Sequence, residues 1–206
     1  MKRLFSRSKK AQPAPTASRA PRGTDIVVPL LSGQAWVDAN AEKLARIPDF
    51  PPGNHPFSRE IAQGLYAAYA VDPGPSWEIV DVESVERFGG ADALHRVALA
   101  NLRRRGDIRL EGDNGRYALT VPDNLDLTAS ILLDPARWRA AIPASGDLVV
   151  AAPTRLSVWV CSIDDRESVE KLASAAIHGF ENGEGKPVSP DLFRLSDTSL
   201  SRFTVA

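Results

Sequence analysis

The chain is poor in the residues that hold metals and disulfides: among 206 residues there are one cysteine and three histidines. Cys161 has no second cysteine to bridge with, so the fold must be held by its core. His55, His95 and His178 stand far apart in sequence, and with one cysteine they leave no internal set for a structural zinc of the usual kind. Such usage suits a reducing, cytoplasmic setting. Long apolar runs are also missing. No segment reaches the roughly 18 uninterrupted apolar residues of a membrane span, and the first residues lack the apolar stretch of a signal peptide.

Catalytic motifs are equally scarce. Gly183-Glu184-Gly185-Lys186 suggests a phosphate loop, but Phe180 stands where the first glycine belongs and Pro187 where a hydroxyl would hold magnesium. No serine has the context of a nucleophile elbow. Cys161 ends an apolar run, where a thiol is a small buried hydrophobe rather than an activated thiolate. Trp36, Trp77, Trp138 and Trp159 recur at no fixed interval and are expected as core anchors. No cofactor is implied.

What is present is an ordinary globular composition, 43% hydrophobic and 25% charged, with an uneven distribution of charge. The formal net charge is −1, yet residues 1–22 carry Lys2, Arg3, Arg7, Lys9, Lys10, Arg19 and Arg22 and no acid. Removing those seven leaves 18 basic against 26 acidic residues, a net −8. An acidic body does not attract nucleic acid through its folded surface, because phosphate affinity comes from clustered Lys and Arg. Only the basic arm is suited to weak contact with anionic lipid or nucleic acid. With Pro13, Pro15 and Pro21 and only Leu4 and Phe5 as large apolar groups, residues 1–24 read as a disordered arm. Residues 25–206 read as a single α+β domain, in which 25–56 is a Pro-rich lead-in.

Along that domain, Asp25 to Leu31 suggests an edge strand and Gly33 to Ile47 a helix. Pro48, Pro51, Pro52 and Pro56 permit neither. Ile61, Leu65, Ala68 and Tyr69 fall at helical spacing behind Ser58, which predicts a helix ending at Asp72-Pro73-Gly74-Pro75. Trp77 to Val82 reads as a strand followed by a short helical turn. Leu94, Val97, Ala98 and Leu102 form the stripe of a helix, and Ile108–Val121 is a hairpin turning at Asn114-Gly115. Leu127 to Leu133 then predicts a third strand, and Pro135 to Ala141 a short helix around Trp138. Leu148 to Ala152 and Leu156 to Cys161 predict two more strands. A long helix, capped by Asp164 with Glu167, carries Val169, Leu172, Ala173, Ala176, Ile177 and Phe180 on one face. Residues 91–180 thus run helix, three strands, helix, two strands, helix. Strands arriving in runs argue for a largely antiparallel sheet with helices packed on it.

Four stretches carry a resemblance: Gly64-Leu65-Tyr66-Ala67-Ala68-Tyr69-Ala70-Val71-Asp72, Ala98-Leu99-Ala100-Asn101-Leu102, Ala129-Ser130-Ile131-Leu132-Leu133, and Gly146 through Arg155. In order and gaps they resemble the bacterial domain of unknown function 1444 family, over about residues 56–162. The resemblance implies a cytoplasmic bacterial context and little chemistry. Two positions depart from the family pattern: Thr128-Ala129-Ser130 replaces Glu-Ala-Ser, and Leu156 replaces the acid that follows the proline-hydroxyl-arginine unit.

The polar positions matched in those stretches, Asp72, Asn101 and Arg155, are the candidate binding residues. The favoured expectation is a non-catalytic protein-binding or chaperone-like module, its element order similar to that of type III secretion chaperones. Two alternatives stand beside it: a hydrolase or transferase with its site near those three residues, and an immunity or antitoxin-like protein whose acidic body covers a basic partner. Arg155 is expected to serve structure, donating to loose carbonyls at the strand ends.

Overall fold

A computed structural model describes residues 26–72, 77–113 and 115–205; the basic arm lies outside the described residues. The fold is α+β, and every strand pairing in it is antiparallel. A first sheet combines β1 (Ile26–Gly33), β2 (Ser58–Ala62), β3 (Leu65–Asp72) and β4 (Glu78–Ile79) in the order β1-β3-β2, with β4 also bonded to β3. A second, six-stranded sheet is built from β5 (Arg109–Asp113), β6 (Arg116–Thr120), β7 (Leu148–Ala151), β8 (Val158–Ser162), β9 (Leu192–Ser196) and β10 (Ser199–Phe203), in the order β10-β9-β7-β8-β6-β5. Helix α1 is Gln34–Ala45, α2 is Ala91–Leu102 and α3 is Arg166–Asn182.

Alternation along β7 and β8 decides which side faces which layer. Leu148, Val150, Val158 and Val160 point into the main core, where they meet Leu31, Ala62 and Leu65 of the first sheet together with Phe193 and Trp138. Val149, Ala151 and Cys161 point the other way, onto Val169, Leu172 and Ala176 of α3. On the first sheet, Val27, Ala67, Tyr69 and Val71 receive Leu94 and Ala98 of α2. Each large apolar side chain buried in this way contributes about 1.5–3 kcal/mol. The apolar stripes dock in part: Leu94, Ala98 and Leu102 of α2 and Val169, Leu172 and Ala176 of α3 are buried, whereas Val97 and Ile177, expected on the same faces, are exposed. Helix α1 differs, because none of its residues is buried.

Several expectations are corrected. Residues 58–69 form the β2–β3 hairpin, not a helix. Gln63-Gly64 turns the chain, with Gly64 at φ +76°, and β3 is buried on both faces, Ala67 and Tyr69 on one and Ala68 and Ala70 on the other, which explains its unbroken apolar run Leu65 to Val71. The third strand expected at Leu127–Leu133 is a string of 3-10 turns. Ile131 N–H donates to the Thr128 carbonyl and Asp134 N–H to the Ile131 carbonyl, while the place beside β6 is taken by β8. Residues 91–180 thus run helix, two strands, 3-10 coil, two strands, helix, and Pro135 to Ala141 belongs to that coil. The cap of α3 is Asp165 rather than Asp164, accepting from Ser168 N–H at 3.1 Å. The hairpin β9–β10 had no counterpart in the sequence reading.

Two glycines carry distinct constraints. A Cβ on Gly33 would lie 1.7 Å from the Val188 carbonyl oxygen, a backbone atom that cannot step aside. Gly115, at φ +81° in the β5–β6 turn, needs the left-handed region. Gly115→Val should cost about 1–2 kcal/mol through that conformation, and Gly33→Ala should cost more because two chain segments must separate. Denaturant midpoints measure both, and an unchanged midpoint for Gly33→Ala would refute the close approach.

Candidate functional site

The strip that carries Arg155 is built beyond the ends of β7 and β9. Ser189 N–H donates to Ala152, Val188 N–H to Pro153 at 2.8 Å, and Arg155 N–H to Lys186 at 2.9 Å, so the two strands continue as an irregular ladder. The Arg155 carbonyl accepts from Ala129 N–H at 2.9 Å. Its guanidinium does something else. The residue is 7% exposed, yet among the described residues no side-chain hydrogen bond or ion pair holds that group. The expectation that it satisfies strand-end carbonyls is thus corrected: backbone groups satisfy them, and the guanidinium donates to none of them.

That guanidinium lines a cavity of about 350 Å³. Leu30 of β1, Trp36 of α1, Trp77 just before β4 and Ile79 of β4 form its apolar wall, and Asp126 and Lys186 are its other charged groups. Burial holds the Arg155 pKa below the ordinary arginine value, with Asp126 opposing the shift from nearby. Arginine remains charged in any such setting. Enclosing a cation without a bonded acceptor costs free energy. The cavity therefore contains a donor fork with its hydrogen-bonding capacity unspent.

Of the other two candidates, Asn101 does not join it. Asn101, at the end of α2, donates from Nδ2 to the Val27 carbonyl at 2.8 Å and so fastens the helix to β1. Asp72 closes β3 opposite Ile26, and its side chain lies outside the described residues. Val27 pairs with Val71, so Asn101 and Asp72 stand at one end of β1, whereas Arg155 comes from the second sheet's connection. Asp126 and Lys186 were missed by sequence reasoning, and Trp36 and Trp77, expected as core anchors, are half-buried residues of the cavity wall instead. They are scattered through the chain and share no local spacing.

A second polar pair lies under α2. Tyr69 is wholly buried, and burial pushes its phenol up to about 12. The phenol therefore keeps its proton and shares a hydrogen bond with Nδ1 of His95, 2.8 Å away. Burial, reinforced by Arg59, holds His95 below its usual 6.5. Burial also pushes the Cys161 thiol up to about 11, with Asp165 adding to the shift, so at neutral pH it is no thiolate. Cys161 borders a mostly apolar groove between α3 and the strands β5, β6 and β8, lined by Tyr117, Ala118, Trp159 and Leu172.

Among the described residues no three His, Cys, Asp or Glu side chains gather as a metal site, and no helix is long and apolar enough to cross a membrane. Comparison of the chain with protein-family models, with curated proteins and with solved structures finds no match in any of the three.

Two outcomes follow. Because His95 binds its proton less readily folded than unfolded, its contribution is complete above about pH 6.5 and is lost as pH falls, the unfolded chain taking the proton first. Melting temperatures from pH 8 to pH 5 should fall further for wild type than for His95→Asn, whose carbonyl still accepts from Tyr69; parallel curves would contradict the pairing. Arg155→Met keeps the stem's volume and removes the unpaired charge. It should leave the melting temperature unchanged or raise it, whereas a loss above about 1 kcal/mol would show that the guanidinium supports the fold.

Proposed function

We propose that the chain is a non-catalytic protein-binding module, and that the cavity around Arg155 is where it grips an anionic group of its partner. One observation carries the reading: a buried guanidinium, held by no acceptor among the described residues, lines a cavity walled by two tryptophans. A guanidinium is a poor proton donor or acceptor because it stays charged, but it is well suited to bidentate recognition of a carboxylate or phosphate. Aromatic walls with a few convergent polar groups are also the usual make-up of a binding cavity. Asn101 acts as a structural clamp, which weakens the alternative of a hydrolase or transferase assembled from Asp72, Asn101 and Arg155. A cytoplasmic setting accords with the single buried thiol.

An array of short acidic and neutral peptides tests the proposal, with wild type and Arg155→Met applied in parallel. Acid-bearing peptides should be retained by wild type, released by Arg155→Met, and recovered chemically unchanged by mass spectrometry. Retention indifferent to Arg155, or peptides recovered cleaved or modified, would overturn it.

A further inference from the structure

Resting on that binding reading, we infer that the cavity takes the last residue of a polypeptide, with its free α-carboxylate on Arg155 and an aromatic or large aliphatic side chain between Trp36 and Trp77. The charges select this ligand class. Arg155 is the buried cation, Lys186 is an exposed second one, and Asp126 stands near enough to act on Arg155 electrostatically without bonding to it. A phosphate dianion in that space would face the Asp126 carboxylate as well as the guanidinium, and like charges at close range repel. A ligand carrying one negative charge with an N–H beside it satisfies both residues: its carboxylate accepts from Arg155, and its N–H donates to Asp126.

The α-carboxylate of a terminal residue fits that demand because a single carbon separates it from its own amide. In an internal Asp or Glu the side chain interposes further carbons, and the amide swings away from Asp126. Leu30, Trp36, Trp77 and Ile79 then receive the terminal side chain. The volume of about 350 Å³ lies at the lower end of ligand sites, roughly 300–1,000 Å³, and suits a residue or two rather than a folded surface. A free amino acid shares the same α-carboxylate chemistry, with an ammonium in place of the amide.

The full chain is titrated with N-acetylglycyl-phenylalanine, with its C-terminal amide, with free phenylalanine and with inorganic phosphate, following tryptophan fluorescence and melting temperature. The acid should bind about tenfold or more tightly than the amide, with quenching that Trp36→Phe diminishes, and Arg155→Met should abolish the preference. Equal binding of acid and amide overturns both the terminal assignment and the role of Arg155. Tighter binding of free phenylalanine than of the acetyl peptide overturns the polypeptide terminus in favour of a free amino acid. Binding of phosphate alone overturns the α-carboxylate and leaves the anion-binding reading standing. No response to any probe overturns the terminal assignment, and the peptide array then decides the binding reading separately. The acid-against-amide comparison needs no variant, so it decides the matter even if Arg155→Met folds poorly.

Discussion

Everything about the cavity depends on one close contact, the seating of Gly33 against the carbonyl of Val188, where a side chain would find 1.7 Å of space. Val188 belongs to the irregular ladder that prolongs β7 and β9 through Ala152, Pro153 and Arg155. Pressing it onto the end of β1 brings Arg155 and Lys186 of one sheet beside Leu30 of the other. Gly33 also begins α1, so Trp36 follows within one turn of the contact. Two further bonds hold the junction: Leu31 N–H donates to Ser130 Oγ at 3.1 Å, and Ala129 N–H to the Arg155 carbonyl. The 3-10 coil thus ties both sheets together. Thr128 completes it by accepting from Val121 N–H through its hydroxyl at 3.1 Å.

The treatment of Arg155 contrasts with how the same chain handles another buried charge. Asp134 is 5% exposed, and Arg103 clamps it through two bonds of 2.7 and 2.9 Å. A carboxylate so enclosed without its partner would cost several kcal/mol. Arg155 is enclosed to a similar degree, yet its nearest acid acts from a distance. Leu156, the next residue along the chain, packs over Gly185, its Cγ lying 2.6 Å from where a glycine Cβ would stand. The neighbouring position thus serves packing and offers the guanidinium no acceptor.

The elements legible in the sequence are those whose burial is one-sided. Helices α2 and α3 show an apolar stripe, and β5 and β6 alternate around Asn114-Gly115, because each has one wet face. Strand β3 is central in its sheet and buried on both faces, so its run Leu65 to Val71 has no period, and Ile61 with Leu65 and Tyr69 imitates a helix. The coil from Pro122 to Ala141 buries Leu127, Ile131 and Leu132 without any repeating geometry, and an apolar run there reads as a strand. At the site, the tight connection between apolar strands predicts a donor to carbonyls at Arg155, and nothing in that local setting shows the cavity that its guanidinium lines. Its cavity neighbours Trp36, Asp126 and Lys186 come together only through the meeting of the two sheets, a long-range event with no local sequence mark.

The placement of titratable groups divides labour across the molecule. Tyr69 and His95 are committed to one another under α2, the Cys161 thiol is held protonated beneath α3, and the group lining the cavity is the one that does not exchange its proton near neutrality. The surrounding body is acidic, net −8 outside the arm, so its long-range field does not draw anions in. Attraction must then arise at short range, where the low-dielectric wall of Leu30, Trp36 and Trp77 strengthens the field of Arg155 and screening by salt is weak. Selectivity follows from the same arrangement. An anion that brings no apolar body gains nothing from the tryptophans, and an apolar body without a charge leaves the guanidinium as unsatisfied as before.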